Sequence, residues 1–89
     1  MKIEKQLKVT SPLGLHARPA AYIARILQQK RSQVMFSYKK ETINARSIMG
    51  ILVLSAHKNA LIDVSVEGDD AEETMHALEE AFANQFEDQ

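Results

Sequence analysis

The sequence predicts an α+β fold, an antiparallel sheet with helices packed on one side. Three observations carry that expectation. Short segments alternate apolar and polar residues, which leaves one sheet face wet, as antiparallel sheets allow. Two longer segments place apolar residues at helical spacing. The elements follow one another as strand, helix, strand, strand, helix, strand, helix, which suits helices gathered on one sheet face.

Each element has its own pattern. Ile3, Leu7 and Val9 fall on one face of a first strand over Lys2 to Val9, interrupted at Lys5. Thr10 to Leu15 forms a loop marked by Pro12 and Gly14. Ala20, Ile23, Ala24 and Leu27 make an i, i+3, i+4, i+7 stripe, so Ala17 to Gln28 is a helix with one buried face. Lys30 and Arg31 at its end suit the negative pole of the helix dipole. Val34, Phe36 and Tyr38 mark a second strand, Lys39-Lys40 a turn, and Thr42-Ile43 a short third strand. Ser47 is placed to cap a short helix carrying Ile48, Ile51 and Leu52, with Gly50 inside it costing about 1 kcal/mol relative to alanine. Ala56 to Asn59 is a polar connection in which Asn59 can take a left-handed conformation. Ile62, Val64 and Val66 mark a fourth strand, and Gly68-Asp69-Asp70 a turn. Ala71, Met75, Leu78 and Phe82 stripe a last helix whose first turn is acidic, through Asp69, Asp70, Glu72 and Glu73.

The 89 residues fit one small domain, residues 1–89, and are too few for a dinucleotide-binding fold or a (β/α) barrel. Hydrophobic residues at 45% and charged residues at 26% argue for a packed chain over a disordered one. Eleven basic residues balance twelve acidic ones, so no overall charge draws the chain to nucleic acid or a membrane surface. The chain has no cysteine, which removes disulfides, zinc–thiolate sites, iron–sulfur clusters and thiol chemistry. The N-terminus lacks the apolar stretch of a signal peptide, and no apolar run reaches membrane-spanning length, so a cytoplasmic location is expected. His57 and His76 have no partners at metal-ligand spacing, and neither a metal nor a cofactor is expected.

The segment with the most chemistry is Gly14-Leu15-His16-Ala17-Arg18-Pro19-Ala20. It places His16 at the start of a helix, where backbone N–H groups lack internal partners and favour an anion. Arg18 adds a guanidinium suited to phosphate oxygens. A neutral imidazole nitrogen is a nucleophile, and phosphoryl transfer asks mainly for positioning and charge stabilisation. A histidine near a helix start also serves as a plain surface or capping residue. Pro19 is tolerated in a first helical turn, yet it disfavours the α conformation at Arg18.

This segment resembles the active-site signature of the HPr family, the histidine-containing phosphocarriers of the bacterial phosphoenolpyruvate-dependent sugar phosphotransferase system. Asn44-Ala45-Arg46-Ser47-Ile48-Met49-Gly50 resembles the family's second signature, the regulatory serine segment. Length, element order and the separation of the two motifs agree. The resemblance implies an open-faced β-sandwich, a four-stranded antiparallel sheet of order 1-4-2-3 with three helices on one face. It implies that His16 takes phosphate on Nδ1 from phosphorylated enzyme I and passes it to sugar-specific IIA domains. Arg18 and the N–H groups near Ala17 would hold the phosphate. Ser47 would be the site of an ATP-dependent HPr kinase/phosphorylase, and Ile48, Met49 and Leu52 the apolar part of the docking surface. Ser47 also has the plainer role of helix cap, and both roles can coexist. A carrier that meets several partners in turn suits a monomer.

Three features bear on the place of the chain within the family. Phe86-Glu87-Asp88-Gln89 is somewhat like the ending of the nitrogen-related branch, which feeds a regulatory relay. The intact Arg46-Ser47-Ile48-Met49-Gly50 segment leans toward the sugar branch, and His16 separates the chain from the catabolite-repression homologue that lacks the histidine. The alternative to a carrier is a regulatory interaction protein, either of the nitrogen branch or a corepressor that acts when Ser47 is phosphorylated.

Overall fold

The structure is a computed structural model that describes residues 1–87. Asp88 and Gln89, on which part of the nitrogen-branch likeness rests, lie outside the described residues. The elements are β1 (Lys2–Lys8), α1 (Ala17–Leu27), β2 (Gln33–Tyr38), β3 (Glu41–Asn44), α2 (Ile48–Val53), β4 (Leu61–Glu67) and α3 (Ala71–Ala83). The four strands form one sheet of order β1-β4-β2-β3, and every neighbouring pair is antiparallel. Three helices cover one face, which makes the molecule the expected open-faced sandwich.

The alternation in the strands decides which face is covered. Across the β1–β4 register Ile3 lies opposite Val66 and Leu7 opposite Ile62, and across β2–β4 Val34 pairs with Val66 and Phe36 with Val64. These residues turn inward, and Val34, Phe36, Ile62, Val64 and Val66 are almost wholly buried. Glu4, Gln6, Asp63 and Ser65 sit between them and line the open face. The core closes with Ile23 and Leu27 of α1, Ile51 of α2, and Met75, Leu78 and Phe82 of α3. Phe82 meets Phe36 edge-on at 6.0 Å between ring centres, a favoured aromatic arrangement.

Lys5 interrupts the apolar alternation of β1 for a visible reason. It occupies an inward register position at the sheet edge, opposite Val64, and its ammonium reaches Glu79 of α3 at 2.9 Å. The turns also follow the residues available. Lys39 takes φ +56° in the two-residue β2–β3 hairpin, and Asn59 takes φ +75° before β4, as asparagine tolerates.

The end of α3 departs from a simple stripe. The helix stops at Ala83, and Gln85 and Phe86 turn left-handed at φ +62° and +60°. The Phe86 N–H reaches back to the Ala81 carbonyl at 2.8 Å, closing the helix end in a Schellman arrangement. The turn drives the Phe86 ring inward, edge-on to Phe82 at 4.9 Å and to Tyr22 at 6.5 Å.

Candidate functional site

The loop before α1 is shaped by two short contacts and a close approach. The Gly14 N–H donates to the Ser11 carbonyl at 3.0 Å, and the buried Ser11 hydroxyl donates to the Gly14 carbonyl at 2.8 Å. Gly14 has φ +75°, and a Cβ there would overlap the Ala56 carbonyl oxygen. Only glycine satisfies both demands. The next N–H, from Leu15, donates to that same Ala56 oxygen at 3.0 Å, and the Leu15 side chain is buried. The chain is thus fixed against the segment after α2 one residue before His16.

His16 is the N-cap residue of α1. Its backbone is extended, with φ −85° and ψ −169°, and its carbonyl accepts the Ala20 N–H at 3.0 Å. Its side chain makes no capping bond, so the partly exposed imidazole is not committed to the helix end. Ala17 and Arg18 follow in the first turn, and among the described residues their N–H groups meet no protein acceptor. The restriction expected from Pro19 does not expel Arg18, which is helical. Pro19 stands at the third helical position, where a helix has no internal acceptor for an N–H, so its missing donor disrupts nothing. The Arg18 side chain is exposed and makes no ion pair or hydrogen bond among the described residues.

His16 and Arg18 share a shallow concavity of about 250 Å³. Its other walls are Pro12, Leu13, Pro19 and the turned-back end of the chain at Gln85, Phe86 and Glu87. The sequence reading did not include Leu13, although it is 77% exposed beside the histidine. A large apolar residue between Pro12 and Gly14 was the available signal. Nor did it include the tail residues, because a distant segment joins a site only through the fold.

α2 lies alongside. Ser47 is its N-cap, and its hydroxyl accepts the Gly50 N–H at 2.9 Å, as the sequence led us to expect. Ile48 and Met49 are 41% and 71% exposed, whereas Leu52 is half-buried and packs against the core. Val53, which the sequence reading left out, is 56% exposed. Ile51 is fully buried.

The charges near the other end of α1 are arranged differently from expectation. The side chain that meets the carbonyls there is Arg46, from the β3–α2 connection. Its guanidinium donates to the Leu27 carbonyl, to Lys30 O at 2.7 Å and to Ser32 O at 2.9 Å. Lys30 and Arg31, three and four residues past the helix end, are not the residues whose side chains reach these carbonyls. Asp70, the N-cap of α3, likewise makes no capping bond to its own helix backbone. Its carboxylate accepts the Ser32 hydroxyl at 2.5 Å, the Arg31 N–H at 2.8 Å, the Ser32 N–H at 2.9 Å and the Thr74 hydroxyl at 3.1 Å. The Ser32 hydroxyl first, then the Arg31 N–H, hold this carboxyl well below the usual carboxylate range.

His57 is exposed, and His76 pairs only loosely with Glu80, at 3.7 Å on the helix surface. Among the described residues no three histidine, aspartate or glutamate side chains converge as a metal site, and no helix is long and apolar enough to cross a membrane.

The chain matches the family model described as "PTS HPr component phosphorylation site" over residues 3–84. It is 39% identical over 84 residues to the phosphocarrier protein HPr of Xylella fastidiosa, covering 94% of each chain. The structure is similar to HPr-C-His from Thermoanaerobacter tengcongensis, with a TM-score of 0.90, 33% identity and 98% of each chain covered. It is also similar to an HPr dimer from that organism, with a TM-score of 0.76 and 37% identity over 84% of this chain and 86% of that one.

Proposed function

The chain belongs to the HPr family of phosphocarriers of the phosphotransferase system, and on that premise we propose that His16 is the residue that carries the phosphoryl group. It accepts the group from phosphorylated enzyme I and passes it to IIA components of sugar permeases. The lone pair of Nδ1 attacks phosphorus as the bond from phosphorus to the donor breaks. The onward step is the reverse in kind: the acceptor attacks and the Nδ1–P bond breaks. Nδ1 is the ring nitrogen nearer the backbone, and the N–H groups of Ala17 and Arg18 in the first turn of α1 supply donors for a group carried there. The exposed Arg18 guanidinium adds a positive charge at the same concavity. The observation that supports this reading best is the imidazole of an N-cap residue left out of capping, beside two N–H groups and an arginine that meet no partner among the described residues.

The chain needs its partners for turnover, so it acts as a relay component in the cytoplasm and not as an independent enzyme. One domain holds both the phosphate site and the docking face, and it works as a monomer. Ile48, Met49 and Leu52 form the docking surface with Val53 and Leu13. Ser47 is the regulatory site, taking phosphate from an ATP-dependent HPr kinase/phosphorylase. Its place at a helix N-terminus tolerates the added charge, which then stands beside the apolar Ile48 and Met49 of the docking surface. The exposure of that serine favours the second reading, a regulatory protein read through its modification at Ser47 or His16.

Incubation with phosphoenolpyruvate and enzyme I tests the carrier reading. An acid-labile phosphate should appear on the chain and be lost in His16→Ala. Label that persists in His16→Ala, or no label at all, refutes it. Purified enzyme I of the sugar and nitrogen branches, supplied separately, tells the branches apart.

A further inference from the structure

α1 and α2 are joined by polar contacts at both ends. Before α1, the Leu15 N–H donates to Ala56 O, just beyond α2. At the other end the Arg46 guanidinium, just ahead of α2, grips Leu27, Lys30 and Ser32. The two helices therefore run in opposite directions, with His16 near the end of α2 and Ser47 near the end of α1. α2 spans six residues, too short to hold its shape without such support.

We propose that Arg46 is a positioning residue for phosphoryl transfer: by holding the start of α2 on the carbonyls that close α1, it sets where the Ile48–Met49–Val53 edge stands relative to His16. This rests on the carrier reading and adds a residue to it. The three acceptors suit a planar guanidinium, which can divide its N–H groups among several carbonyls, better than a single ammonium. A cation beside the C-terminal carbonyls of α1 is also favoured by the helix dipole. The segment that Arg46 grips is itself fixed from the opposite side. The Asp70 carboxylate takes the N–H groups of Arg31 and Ser32 while Arg46 takes the carbonyls of Lys30 and Ser32. Anchored to α3, that segment is a firm reference for α2. The connection that carries Arg46 is held too, by the Ala45 N–H on Val34 O at 2.9 Å and the Arg46 N–H on the Asn44 side chain at 2.9 Å. Without the guanidinium, the α1 end of α2 loses its side-chain anchor, while the loop holding His16 keeps its own. Docking, which reads both parts of the face, should weaken. Chemistry at His16 should not.

The test is the rate of phosphoryl transfer from the His16-phosphorylated chain to a purified IIA acceptor, measured against carrier concentration. Arg46→Met should raise the apparent KM about three- to tenfold with kcat little changed, and Arg46→Lys should recover part of that loss. Val66→Ala, which opens a cavity under the sheet, is the control for lost stability and should leave KM unchanged. Equal KM in Arg46→Met and parent, or the same rise in Val66→Ala, overturns the proposal. Amide hydrogen exchange in Arg46→Lys gives a second reading that does not depend on Arg46→Met folding. Faster exchange at Ile51 and Leu54 with α3 unchanged supports the anchor, and exchange unchanged or accelerated uniformly overturns it. A parent chain that takes no phosphate from enzyme I refutes the carrier reading instead, and the exchange measurement still tests the anchor alone.

Discussion

A methyl group on residue 14 would have nowhere to go. Gly14 is left-handed and its α-carbon lies against the Ala56 carbonyl, which also receives the next N–H in the chain. Gly14→Ala should therefore cost about 1–3 kcal/mol of stability, from backbone strain and from displacement of the contact. It should also slow phosphoryl acceptance, because the Leu15–Ala56 bond that seats His16 is moved. Chemical denaturation and the rate of labelling by enzyme I check the two effects together. A change in stability with no change in labelling rate would mean that His16 keeps its place without this contact. At this scale the sequence was informative where motifs are local. His16, Arg18 and Ser47 lie in short segments that could be read directly. Arg46 stood beside Ser47 in the same segment, yet its role depends on carbonyls 14 to 19 residues earlier in the chain. No periodicity encodes such a contact.

Helix ends show both the reach and the limits of local rules. Ser47 caps α2 as its position suggests, so Ser47→Ala should lower stability by about 1 kcal/mol, measured as a shift in the denaturation midpoint. Asp70 sits at an equivalent position before α3 but gives its carboxylate to the α1–β2 connection. The sequence marks Ser47 as a cap and Asp70 as charge at the start of a helix, and only the fold shows which backbone groups each one meets. Because the native pKa of Asp70 lies below its unfolded value, its bonds stabilise the fold above the ordinary carboxylate range. That contribution is lost as pH falls through that range toward the native pKa. Asp70→Asn should thus be less stable than the parent at pH 7, and the difference should shrink at pH 3. Thermal unfolding at both pH values measures it; a gap that stays constant or widens in acid would contradict this assignment.

For the molecule as a whole, all seven elements were legible, and their observed limits fall close to the expected ones. The reason is physical. β2 and β4 alternate cleanly enough to choose their buried face, β1 does so with a break at Lys5, and α1 and α3 each carry an apolar stripe. The sheet order came from family resemblance, since alternation names a strand's faces but not its neighbours. The approach of Phe86 and Glu87 to His16 was illegible for a related reason. It depends on a left-handed turn at Gln85 and Phe86, and neither is a residue type that announces one.

The sheet order also dictates when the protein can become complete. Among the described residues β1 pairs only with β4, and Lys2 lies opposite Glu67. During synthesis β1 leaves the ribosome well before β4 and must wait for it, with its inward-facing Ile3 and Leu7 unpaired. Closure of so long a loop makes folding slower than a chain of local contacts would allow. A nascent chain that ends before β4 therefore leaves β1 without its partner strand, and such unpaired edges and uncovered apolar residues are what chaperones and proteases meet.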